Sequence, residues 1–196
     1  MEPVWVEGLL SLSVGVGLAA AAGLRVFLPL LLLGSAARLG WLPLTDGFDW
    51  LASGVGLGTL SVATALEIGA YYIPWIDHLL DIVAGPSAVV AGIVATAAVT
   101  TELPPPVRWA AAIIAGGGTA GVIQGLTTVA RLKSSALTAG LGNPLLATLE
   151  WVGALATSLL AIVFPAVAVL FVVSAALCAR WATRRFFPRS RLTHTS

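Results

Sequence analysis

The chain has 196 residues, 58% of them hydrophobic and only 10% charged, with a mean hydropathy of +0.98, whereas an ordinary soluble domain carries about 25% charged residues. So little charge cannot coat a water-exposed surface, which argues against a soluble enzyme and against a nucleic-acid binder. The formal net charge of +1 hides an asymmetry, because Arg180, Arg184, Arg185, Arg189 and Arg191 all crowd the C-terminal tail.

The first apolar run extends from Leu9 to Ala37 with Arg25 as its only charge, about 43 Å if wholly helical. That exceeds one straight crossing, so the run is tilted, broken near Gly23 or kinked at Pro29. Glu2 and Glu7 precede it, with no basic region and no small-residue cleavage signature. The segment is therefore expected to be retained and not to be a removed signal peptide. A loop over Gly40 to Trp50 carries Trp41, Pro43, Asp46 and Asp49 and suits the headgroup level, where indoles anchor. A second span runs from Leu51 to Ile73, Pro74 stops it, and Trp75 to Asp81 reads as a short mixed segment before a third run from Ile82 to Thr101.

Glu102, Pro104, Pro105, Pro106 and Arg108 form a stiff break. A fourth span follows from Trp109 to Ala130. Arg131 to Pro144 is rich in Ser, Thr and Gly and is expected to resist helix formation, either as a polar loop or as a re-entrant dip. The last run, Leu145 to Ala179, would measure about 52 Å as one helix. Two spans would have to turn near Phe164 and Pro165 without polar partners, which lipid penalises. The expected fold is therefore an all-α, polytopic transmembrane helix bundle of about five spans, with six as the alternative. Residues 1–182 form its single membrane domain and residues 183–196 a basic tail, cytoplasmic by the positive-inside rule. Thr64-Ala65-Leu66-Glu67 and Ala147-Thr148-Leu149-Glu150 echo each other across the proline-rich break, so halves 8–101 and 107–182 are candidates for an inverted repeat.

Ionisable residues inside spans are functional candidates by default. Gly54, Gly58, Ser61, Thr64, Glu67 and Tyr71 recur at helical spacing, as do Gly117, Gly121, Gln124, Thr128 and Arg131, and Asn143, Ala147, Glu150, Ala154 and Thr157. Small residues at such spacing serve close helix packing, but packing gains little from Glu67, Gln124 and Glu150. A polar site for an ion or small solute built from Arg25, Glu67, Gln124, Asn143 and Glu150 is the sharper expectation. In it Arg25 either pairs with Glu67 or Glu150 or binds the solute. Asp77, His78 and Asp81 form a second group suited to a cation or proton relay, or simply to a wet interfacial turn. No metal-ligand spacing of recognised specificity is present and no cofactor is expected. Cys178 is the only cysteine, so an intramolecular disulfide is excluded. His194 belongs to the tail.

Gly23-Leu24-Arg25, Leu66-Glu67-Ile68, Tyr72 through Asp81, Gly118 through Gly125, and Gly140 through Pro144 with Glu150 together resemble a bacterial membrane-protein family catalogued as domain of unknown function 4126. The resemblance covers nearly the whole apolar chain. It implies a small polytopic protein of bacterial inner membranes and brings no activity with it. Two readings follow: a small transporter or channel, non-enzymatic and in need of a homo-oligomer to enclose a path, or a non-transporting scaffold or lipid-interacting protein whose stripes only pack helices.

Overall fold

The computed structural model describes residues 4–70, 74–138, 141–170 and 174; side chains are described for all of these save residues 4 and 74–82. Its helices are α1 (Val4–Ala22), α2 (Phe27–Arg38), α3 (Gly54–Ala70), α4 (Pro74–Val99), α5 (Pro105–Ala111), α6 (Gly118–Thr138) and α7 (Asn143–Val163). A further helical turn, α8, covers 165–170, and no strand occurs among the described residues. Among the described residues, three segments are long and apolar enough to cross a membrane: Trp5–Ala22, Pro105–Thr138 and Asn143–Val163. Phe27–Arg38, Gly54–Ala70 and Val83–Val99 are apolar but shorter.

The expected all-helical bundle is present, with several boundaries moved. Pro74 does not end a helix; it opens α4, which absorbs the mixed segment and the third run. Proline fits the first helical position, where its missing N–H has no partner to lose. The fourth span begins at Pro105 and not Trp109, for the same reason. From there the chain stays helical to Thr138 through one widened turn at Ala112–Gly117, about 51 Å in all. Of the residues expected to break this helix, Thr138 instead folds its hydroxyl back onto the Ser134 carbonyl at 2.7 Å, as Thr128 just before the segment does onto that of Gln124 at 2.9 Å. The last run is not one helix either: α7 stops at Phe164, with φ −133° and ψ 71°, because Pro165 forces the residue before it out of the helical region.

Packing sets the antiparallel order. A methyl group built on Gly15 would lie 2.9 Å from Thr96, and one on Gly92 would lie 2.7 Å from the Ala120 Cβ and 2.8 Å from the Gly116 carbonyl oxygen. So α1, α4 and the Pro105–Thr138 helix meet backbone to backbone through glycine and alanine. Gly17 approaches Ala161 in the same way, laying α1 antiparallel to α7. Between α2 and α3 the chain is tied down at both ends. Gly40, at φ 76°, closes α2 while the Trp41 N–H returns to the Ala36 carbonyl, and Thr45 satisfies the last carbonyls of α4 through its N–H and hydroxyl.

The distribution of residue types is inverted relative to a soluble domain. Ala, Gly, Thr96, Thr100 and Ser158 are buried, whereas Val55, Leu66, Ile114, Leu137 and Leu145 are exposed. Large apolar side chains facing outward over small, polar ones suit an apolar solvent. Gly92→Val should therefore destabilise the bundle by about 1–3 kcal/mol through overpacking. Gly118→Ala, whose methyl meets nothing within 4 Å, should be neutral or stabilising by up to about 1 kcal/mol. Thermal unfolding in detergent micelles reads both.

Candidate functional site

The break between α1 and α2 positions the site. At Gly23 the chain passes so close to α6 that an added methyl would lie 2.6 Å from the Ala120 carbonyl oxygen and 2.7 Å from the Ile123 Cβ. Only glycine allows that approach. The helix unwinds over Gly23–Val26, and Arg25 enters the bundle from the unwound stretch, only 2% exposed.

Its Nη2 donates to the Ala147 carbonyl at 2.9 Å and lies 3.2 Å from Glu150 Oε2. Glu150 is shared. Arg131 of α6 reaches it edge-on, Nε donating to Oε1 at 3.1 Å and Nη2 pairing with Oε2, the two-pronged geometry that a guanidinium and a carboxylate prefer. Glu67 takes a different role. Val26 N–H donates to its Oε1 at 2.8 Å and Phe27 N–H to its Oε2 at 3.2 Å. The first amides of a helix have no partner within it, so a carboxylate from α3 both caps α2 and sits at its positive end. Of the two expected pairings for Arg25, the direct one is with Glu150, although Glu67 lies within electrostatic range of Arg25 and Glu150. Among the described residues, two arginines and two carboxylates thus come together from α3, α6, α7 and the α1–α2 break.

Gln124 is buried on α6 two turns before Arg131, and its carbonyl accepts the hydroxyls of Thr127 and Thr128, both at 2.9 Å. Asn143 opens α7, buried, with Nδ2 donating to Ser135 Oγ at 3.0 Å. The stripe on α7 faces inward as a whole. That on α3 does so only in its second half: Gly54, Gly58 and Ser61 are exposed, and the packed face is Gly56, Leu60, Thr64 and Glu67, because the covered side of the first turns lies two residues beyond the glycine row. Tyr71 lies outside the described residues. So do the side chains of Asp77, His78 and Asp81, whose backbone belongs to the first turns of α4. Among the described residues no group of three His, Cys, Asp or Glu side chains could hold a metal. Beside Glu67 a groove of about 350 Å³ runs between α2, α3 and α4, lined by Val26, Phe27, Leu66, Val83 and Ser87 among others.

Arg131 is the cluster residue that sequence reasoning left out of the site. Its spacing of seven from Gln124 was the available signal.

A family model described as Domain of unknown function (DUF4126) matches residues 12–185. The chain belongs to this family. The matched region of this DUF4126 protein contains all four cluster charges, α1 from residue 12 on, all of α2 and the whole α6–α7 pair. No curated protein and no solved structure matches the chain.

Glu67→Leu leaves two buried N–H groups without acceptors, each costing about 1–3 kcal/mol, whereas Glu67→Gln keeps one acceptor and should lose roughly half as much. Arg131→Leu leaves Glu150 with Arg25 alone and should cost about 3–5 kcal/mol. Unfolding of the purified variants in micelles gives the order; equal losses for Glu67→Leu and Glu67→Gln would contradict the capping role.

Proposed function

We propose that this DUF4126 protein is a membrane-embedded transporter or channel for an ion or small polar solute, with no enzymatic activity, and that Arg25, Glu67, Gln124, Asn143 and Glu150 line its site, joined by Arg131. The observation that carries this reading is the buried four-charge cluster at the helix break. Helix packing is already served by Ala and Gly along α1, α4 and α7. Charges inside an apolar bundle each add an insertion cost of a few kcal/mol, and a broken helix adds backbone groups that must be satisfied. Membrane proteins place such breaks and charges where they line a path or a binding site. The long apolar helices and the outward-facing large side chains support embedding in a bilayer.

In this reading the protein sits in a bacterial inner membrane with the basic 183–196 tail in the cytoplasm. Glu67 and Glu150 are equivalent positions of an inverted repeat over 8–101 and 107–182, and a homo-oligomer completes the enclosure. A second reading has its own support: every cluster carboxylate is already held by protein donors, as a purely structural clamp in a scaffold would be.

Flux measurements in proteoliposomes, with a panel of ions and small polar solutes, separate the two. Transport predicts solute-dependent flux that falls by about tenfold or more in Glu150→Gln, about 1.4 kcal/mol of lost stabilisation, while the variant keeps its elution volume in detergent. The scaffold predicts no flux for any solute, from the parent or from any cluster variant that still assembles.

A further inference from the structure

Two elements of the cluster attract anions, the N-terminus of α2 and the Arg25–Arg131 pair, and the protein fills each with a carboxylate of its own. They are filled differently. Glu67 is held by two backbone amides of a helix that is itself packed on α3 and α7. Glu150 is held by side-chain tips, by Arg131 across the seam between α6 and α7 and by Arg25 from the α1–α2 break. Resting on the transport reading above, we propose that Glu150 is an internal stand-in for the substrate, and that the site takes a small soluble carboxylate on the forks of Arg25 and Arg131, admitted along the α6–α7 seam.

The seam carries this assignment. Although consecutive, α6 and α7 scarcely pack against each other; α6 leans on α4 and α1, and α7 on α1 and α2. What joins them is polar: the Arg131–Glu150 pair, the Asn143–Ser135 hydrogen bond, and the Gly142 N–H donating to Thr138 Oγ1 at 2.9 Å. At 100° per residue, Gln124, Thr127, Thr128, Ser135 and Thr138 all lie within about 60° of Arg131 on the α6 surface. A seam lined in this way can be wetted, which an apolar one cannot. Glu150 sits two turns, about 10 Å, from the start of α7, which is the length of polar seam that a ligand has to pass to reach the arginines. The exchange is carboxylate for carboxylate, and the charge at the arginine pair does not change. Two guanidiniums facing one carboxylate also suit a ligand with two acceptor oxygens better than a spherical halide.

The test uses the full chain in phosphatidylcholine nanodiscs, so that no anionic headgroup competes, and in proteoliposomes of the same lipid. Thermal unfolding is followed against acetate, succinate and chloride at constant ionic strength. Glu150→Gln is expected to unfold earlier than the parent and to recover with acetate or succinate, saturably. Half-saturation should come at a concentration about tenfold lower than in the parent, where Glu150 occupies the forks. Arg131→Gln should abolish the response. Glu150→Asp, which keeps the charge on a shorter arm, should half-saturate in between and serves where Glu150→Gln does not fold. A response to acetate no greater than to chloride, one that survives Arg131→Gln, or stabilisation only when anionic lipid is added overturns the carboxylate site. Radiolabelled acetate or succinate uptake separates the two layers. Flux of cations without any carboxylate response removes this inference and leaves transport standing; a carboxylate response without flux of any solute removes the transport reading on which it rests.

Discussion

A charged side chain inside an apolar helical bundle is tolerated only where an opposite charge or several donors meet it, because the partnerless state leaves a buried charge uncompensated. Arg25 enters the interior from an unwound stretch of backbone, and from that point much of the architecture is constrained. Glu150 must come within reach, which fixes how far α7 slides along α1. Arg131 must converge on the same carboxylate, which fixes the level of α6. Glu67 must reach the first amides of α2, which fixes α3. Helices packed through alanine and glycine have smooth surfaces that allow sliding and rotation at little cost. Discrete charges with short reach remove that freedom, and four of them suffice to register five helices.

The same logic explains why the small residues lie where they do. Contacts among α1, α4 and α6 bring backbones together at Gly15, Gly92 and Gly116, and any larger side chain would push the helices apart and open the ion pairs at their ends. Close packing and the charge cluster are therefore coupled. Gly23 is the junction between the two, since it lets the chain turn against α6 and thereby delivers Arg25. Outside, the large aliphatic side chains that would fill a soluble core face the surroundings. Such an arrangement suits apolar surroundings.

Much of this was legible in the sequence, and the parts that were not share a cause. The break at Gly23 was one of three outcomes, beside a tilt and a kink at Pro29, that an apolar run too long for one crossing allowed, and the inward row on α7 followed from the spacing of Asn143, Ala147, Glu150, Ala154 and Thr157. Boundaries failed where a residue's average preference was overruled by its position. Pro74 and Pro105 read as stops but open helices, where a missing N–H does no harm. Ser134, Ser135 and Thr138 read as loop formers but lie in a helix held by back-bonded hydroxyls and by the Arg131–Glu150 pair. The glycine row on α3 failed differently: period alone names several candidate faces, and only the neighbour, α2, decides which is covered. Arg131 was hidden for the same reason. It ended the row Gly117, Gly121, Gln124 and Thr128 at helical spacing but also opened the polar segment to Pro144, and nothing in the spacing named Glu150, on another helix, as its partner.

The echo between Thr64-Ala65-Leu66-Glu67 and Ala147-Thr148-Leu149-Glu150 takes on physical content once both carboxylates are placed. Each comes to the same break from a different helix, yet one meets backbone amides and the other guanidinium groups. The backbone cap is rigid, because its donors cannot move without unwinding α2. The arginine pair is compliant, because long side chains can follow a carboxylate over several ångströms while α1, α6 and α7 stay in place. A broken helix whose positive end is closed by Glu67 cannot offer that end to a solute, as broken helices in transporters do. Any exchange with the outside must therefore fall to the compliant half of the cluster, beside the seam where α6 and α7 pack sparsely and share polar contacts.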